Sequence, residues 1–263
     1  MATTTETEAE RDRRRHRRTL FDGVAGLYDT SRRGYPNHIV DFVVTTAGLG
    51  PGSKVLEVGC GTGQLTEGLT RFDFEMTAID IGPSMIEAAR RRLGNSSVRF
   101  HAASFEGFEA TEASFDLIIS ATAFHWVDPE VRFRKPARLL RPGGWLALLS
   151  TGERYDDPFG AALRDMWIAR SDQHNAWSRP QVAEIEINGA GLFEPPVLTI
   201  DAQRLVLPVE TVIDVENTRA TSLSWPDEAR REFTDEMRRH LSSQTEVHLT
   251  QETSLSMARV ITQ

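Results

Sequence analysis

Residues 55–63 read VLEVGCGTG, a short apolar stretch that runs straight into glycines at 59, 61 and 63. A strand ending in such a loop, with a helix after it, opens a βαβ unit whose backbone can approach a ligand closely. Asp80 closes the next apolar stretch, residues 74–80, where a carboxylate can accept both hydroxyls of a ribose. The spacing departs from the dinucleotide fingerprint G-x-G-x-x-G, because Gln64 stands where the third glycine would be. No Lys-Ser/Thr pair follows, so the loop is not a P-loop.

The glycine loop sits in a regular alternation. Residues 55–58, 74–80, 98–102, 115–121 and 145–150 read as strands, and 62–71, 83–93 and 128–141 as helices. This predicts an α/β fold with a parallel sheet covered on both faces. After residue 150 the rhythm breaks. Helices are expected over 158–170, 181–190, 208–222 and 226–242, a strand over 196–206, and one or two strands over 245–262. Residues 1–18 hold six arginines and His16 without an apolar period, and read as a polar, flexible lead-in. Residues 19–263 read as a single domain with an acceptor-binding insert over about 151–225.

Composition narrows the function. With 263 residues and 40% hydrophobic content, the chain can bury a full core. A net charge of −8 disfavours a nucleic-acid partner. No run reaches the roughly 18–20 apolar residues of a membrane span, and no signal segment opens the chain, so a cytoplasmic protein without membrane attachment is expected. Cys60 is the one cysteine, and no H-E-x-x-H pattern occurs, so neither a disulfide framework nor a metal site is expected.

Taken together, VLEVGCGTGQLT, AIDIGPSMIEAAR and LLRPGGWLAL resemble the motifs of class I S-adenosylmethionine (SAM)-dependent methyltransferases. The resemblance covers roughly residues 20–150. The lead-in FDGVAGLYDTSRRGYP and the later FHWVDP are similar to a small-molecule branch containing trans-aconitate methyltransferases. It implies a Rossmann-like sheet of about seven strands, mostly parallel, with the last strand pair partly antiparallel and supplied by residues 245–262. A helical cap would lie over it. The implied reaction moves a methyl group from SAM to a small-molecule acceptor and leaves S-adenosylhomocysteine (SAH).

Motif by motif, the resemblance assigns Gly59, Gly61 and Gly63, with Glu57 beside them, to the methionine part of SAM. Asp80 takes the ribose, and Ile81 and Met85 pack near the adenine. Ser104 and Phe105 follow the third strand, where the adenine amino group is read; Ser104 replaces an aspartate often found there. The carbonyl of Ala121 receives the cofactor's ammonium group. Tyr28 and Arg33 cover the cofactor, with Arg33 toward its carboxylate. Tyr35, Phe124 and Trp126 line the junction with the acceptor. Trp167 and Trp177 in the insert suggest an apolar or aromatic acceptor. His125 is the best-placed titratable side chain for a general base working near neutral pH. Two alternatives stand beside this reading: a non-catalytic SAM- or nucleotide-binding module, and an NAD(P) oxidoreductase, which the glycine spacing opposes.

Overall fold

The computed structural model describes residues 6–155, 158–170 and 180–261. Its strands are β1 (Lys54–Val58), β2 (Glu75–Asp80), β3 (Arg99–Ala102), β4 (Phe115–Ala121), β5 (Leu140–Tyr155), β6 (Val197–Pro208) and β7 (Glu246–Arg259). They form one sheet in the order β3-β2-β1-β4-β5-β7-β6. The first five are parallel; β7 runs antiparallel to β5, and β6 antiparallel to β7. This is the expected mixed α/β sheet.

Burial of both sheet faces explains why β1 and β4 read as nearly unbroken apolar runs. On one face Leu56, Ile118 and Leu146 pack beneath Phe124, Leu139 and Ile187. On the other, Val55, Leu117 and Ala147 pack against Ile39, Val40 and Val43. The last three side chains lie on α3 (Asn37–Ala47), whose N-cap is Pro36.

Preceding α3 are α1 (Glu8–Thr19), a short 3-10 turn over Leu20–Val24, and α2 (Ala25–Ser31). Where the sequence shows only a polar lead-in, α1 is a helix started by a Thr7/Glu10 capping box. It docks through charge: Arg14 reaches Asp128 at 3.3 Å and the Trp126 carbonyl at 2.9 Å, and Arg18 reaches Glu106 at 2.8 Å. Arginine spacing that lacks an apolar face thus still finds a tertiary partner.

The glycine loop leads into α4 (Gln64–Leu69), and the loop after β2 into α5 (Pro83–Leu93). Residues 128–141, expected as one helix, form α6 (Pro129–Arg132) and α7 (Arg134–Leu139). Strand pairing already begins at Leu140, opposite Phe115. After β5 come α8 (Pro158–Arg170) and α9 (Pro180–Ala190), then β6. The helix expected over 208–222 is split into α10 (Val209–Asn217) and α11 (Ala220–Leu223), with Arg219 in extended backbone between them. Last is α12 (Asp227–His240), which buries Phe233 and Met237.

One expectation is corrected. Residues 245–262 do not supply two strands: β7 is a single long strand, and its partner at the sheet edge is β6. No Gly, Pro or Asn-Gly pair interrupts residues 246–259, so nothing there turns the chain.

Candidate functional site

The C-terminal ends of β1, β2 and β4 meet at two adjoining cavities. The smaller is walled by Gly59, Gly61, Asp80, Ile81, Met85, Ser104 and Phe105, with Tyr28 and Trp126 opposite. The larger, about 940 Å³, extends toward the cap and is lined by Tyr28, Arg33, Tyr35, Glu57, Phe124, His125, Trp126 and Trp167. Gly59, Gly61, Ala121 and Thr122 border both. Gly63 borders neither. It caps α4 and packs against α5, where an added Cβ would meet Leu93 Cδ1 at 3.2 Å. Trp177 lies outside the described residues.

The glycine loop is shaped by two requirements. Gly59 has φ +72°, and a Cβ there would fall 2.3 Å from the Ala123 Cβ. Gly61 has φ +55° and fronts both cavities, with the Tyr28 ring 3.8 Å from where a Cβ would stand. Left-handed backbone favours glycine at both sites.

Asp80 ties the loop to β2. Its Oδ2 accepts the Gly61 N–H at 2.9 Å and its Oδ1 accepts the Gly82 N–H at 2.9 Å. Burial raises its pKa, and these backbone hydrogen bonds only partly oppose that. Each oxygen keeps acceptor capacity for a hydroxyl.

Glu57 is 1% exposed. Its Oε2 accepts the Thr66 hydroxyl at 2.7 Å. Burial, with the Asp80 charge adding to it, pushes its carboxyl up to about 8, so Glu57 is protonated at neutral pH. Sequence alone carried no sign of that, since a glutamate inside a strand reads as an ordinary acid.

No motif in the sequence marks Thr122. Its φ of +53° is rare for a β-branched residue. Its Oγ1 lies 3.3 Å from the Tyr35 hydroxyl, at the boundary of the two cavities. Burial raises the Tyr35 pKa, so the phenol stays protonated. Asp22 was also unmarked. It accepts the Ser84 N–H in the first turn of α5 at 2.7 Å, and so ties the 3-10 turn over Leu20–Val24 to that helix.

Several side chains differ in environment from their sequence reading. Ser104 Oγ accepts the Gly107 N–H at 3.2 Å, which spends part of its capacity on a turn. Glu106 accepts both Arg18 and the Asp128 N–H. His125 is pushed down to about 3 by burial and the Arg132 guanidinium, so its imidazole is neutral and a weak base. Arg33 is exposed on the rim of the larger cavity. Of the aromatic residues of the cap, Trp167 lines the cavity, but its indole N–H is committed to Glu216 at 3.1 Å.

A family profile described as a methyltransferase domain matches residues 56–148. An uncharacterized methyltransferase of Mycobacterium bovis is 33% identical over 136 residues, 52% of this chain and 54% of that one. The chain thus spans about half the length of the first curated relatives it matches. A ubiquinone biosynthesis O-methyltransferase of Xanthomonas oryzae is 34% identical over 163 residues, 55% of this chain and 68% of that one. Among solved structures, a protein described as a type II methyltransferase from Anaeromyxobacter dehalogenans shares the fold with a TM-score of 0.61 at 22% identity, covering 87% of this chain and 97% of that one. Among the described residues, no helix is long and apolar enough to cross a membrane.

Proposed function

The chain belongs to the class I SAM-dependent methyltransferases, and from that premise we propose that it methylates a small molecule held in the larger cavity. The observation that carries this reading is the junction: the loop and the β4 end that face the smaller cavity also face the larger one. A cavity of about 940 Å³ is within the range of small-molecule sites.

The residues present fit the cofactor. Asp80 is a desolvated carboxylate with acceptor capacity to spare, and Gly61 leaves space where a side chain would stand. Asp80 would hold the ribose, Ile81, Met85 and Phe105 the adenine, and the loop of Gly59 and Gly61 the methionine part, with Ala121 and Arg33 at its charged end. When bound, SAM supplies a methyl group already activated on a sulfonium. What remains for the protein is orientation and exclusion of water, and orientation alone contributes up to roughly 7–11 kcal/mol in model reactions.

Tyr35 and Thr122 stand at the junction and orient an acceptor through their hydroxyls. Phe124 and Trp126 shield it from water. His125, neutral and a weak base, orients more readily than it removes a proton. The FHWVDP stretch and the N-terminal cover support a small-molecule branch similar to trans-aconitate methyltransferases. Within the acceptor-binding insert of about 151–225, Trp167 on α8 and Ala220 and Thr221 on α11 line the larger cavity.

The test is calorimetric binding of SAH and of NAD to the purified chain, followed by SAH release from SAM across acceptor classes. Tight SAH binding with acceptor-dependent release supports the reading. NAD binding in place of SAH defeats it, and SAH binding without release by any acceptor favours the non-catalytic alternative.

A further inference from the structure

The cap carries a charge arrangement that the methyl-transfer reading does not use. Arg219, between α10 and α11, is gripped on one side only. Its Nε and Nη2 donate to Glu216 Oε2 and Oε1, each at 2.8 Å, and Nη2 also donates to Glu153 Oε2 at 2.8 Å. Glu216 is wholly buried and takes two more donors, the Tyr155 hydroxyl at 2.6 Å and the Trp167 indole at 3.1 Å. Four donors on one buried carboxylate fix the plane of the guanidinium.

Arg32, after α2, is held similarly. Its Nε donates to Thr218 Oγ1 and its Nη2 to the Val215 carbonyl, both at 3.0 Å, and its guanidinium lies 5.4 Å from the centre of the Tyr28 ring. Among the described residues, neither Arg32 nor Arg219 makes a hydrogen bond through Nη1. Both border the larger cavity, and both charges lower the pKa of Glu153.

We propose that Arg32 and Arg219 together clamp an anionic group of the methyl acceptor, a carboxylate or a phosphate monoester, whose apolar body lies against Leu205, Leu207 and Leu249. This rests on the methyltransferase reading and specifies its substrate class. Accessibility decides the sign of the ligand. The Arg219 side chain is 31% exposed, whereas those of Glu153 and Glu216 are 8% and 1% exposed. An entering group therefore meets the guanidinium edge and not the carboxylates behind it. The long-range field agrees. Arg33, Arg154 and Arg164 also line the cavity, so five arginines stand against Glu57, Glu153 and Glu216, of which Glu57 is protonated, in a chain whose net charge is −8. Each guanidinium keeps its Nη1 N–H groups for such an oxyanion, and charge-assisted hydrogen bonds of this kind strengthen where water is excluded.

The test uses protein saturated with SAH and a matched probe set: 3-phenylpropionate, phenyl phosphate, 3-phenylpropanol and 3-phenylpropylamine, titrated by calorimetry. One of the anions should bind at least about tenfold more tightly than the alcohol and the amine. That preference should fall below about threefold in Arg32→Gln and in the double variant Arg219→Gln/Glu216→Gln, with SAH affinity retained. The double variant avoids stranding the Glu216 carboxylate. Equal or tighter binding of the alcohol or amine overturns the proposal, as does no saturable binding of either anion up to about 10 mM. Loss of SAH affinity in both variants also overturns it, because the guanidiniums would then be holding the cofactor's own carboxylate. Failure of the wild-type chain to bind SAH counts separately, against the methyltransferase reading itself.

Discussion

Asp80 at the end of β2 accepts the backbone N–H of Gly61, in the loop after β1, at 2.9 Å. One carboxylate therefore braces the glycine loop and faces the cavity beside it. Replacing Asp80 by Ala should weaken SAH binding by about 1–3 kcal/mol, the usual cost of losing a charged hydrogen-bond partner. Because burial raises the Asp80 pKa, affinity should begin to fall on acidification above the ordinary carboxylate range. Calorimetry at several pH values reads both effects. Unchanged affinity in folded Asp80→Ala protein would remove Asp80 from the cofactor site.

Glu57 should make stability depend on pH in the direction opposite to a salt-bridged acid. Its folded pKa, about 8, lies above the unfolded value near 4.5. Stability is therefore fully present below about 4.5 and is lost as pH rises toward about 8, by about 3–5 kcal/mol from this group. Glu57→Gln should flatten that slope in urea melts. A slope identical in the two proteins would contradict the buried, protonated state.

Gly59→Ala should be among the most damaging small substitutions. The new methyl overlaps Ala123, and the φ of +72° strains any L-residue. A loss of about 2–4 kcal/mol is expected from overpacking and strain combined. Adding Ala123→Gly should restore only the steric part, measurable as a partial recovery of the thermal midpoint.

His125 should not produce an ascending limb near pH 6–7 in the rate of methyl transfer, since its imidazole is held near 3. His125→Gln should leave the single-turnover rate within about tenfold and the pH profile unchanged in shape, below the roughly 10²–10⁴-fold expected of a general base. A limb near neutrality that disappears in His125→Gln would reinstate it as the base.

The N-terminal cover should respond to cofactor. Phe21 and Tyr28 border both cavities, and Arg18 anchors the helix before them to Glu106. Hydrogen exchange over 20–35 should slow when SAH binds, and Arg18→Ala should reduce that protection. Equal exchange with and without SAH would argue against a cover that orders on binding.

Local pattern determined the core of this protein. The apolar runs at β1, β2 and β4, and the glycines and Asp80 that follow or close β1 and β2, make a strand–loop–helix pattern written in adjacent residues, so strands and loop are legible in residues 55–121. Tertiary packing decided the rest, because those features depend on contacts between residues far apart in the chain. The antiparallel pairing of β7 with both β5 and β6 carries no local turn signal. Burial, not residue type, turns Glu57 into a protonated acid and His125 into a weak base. The arginines of α1 became a docking surface only through Glu106 and Asp128, roughly ninety to a hundred and ten positions away. Arg219 faces the cavity because the interruption of the helix between α10 and α11 lets Glu216 and Glu153 hold it there. Charge and desolvation act through space, and spacing along the chain does not encode them.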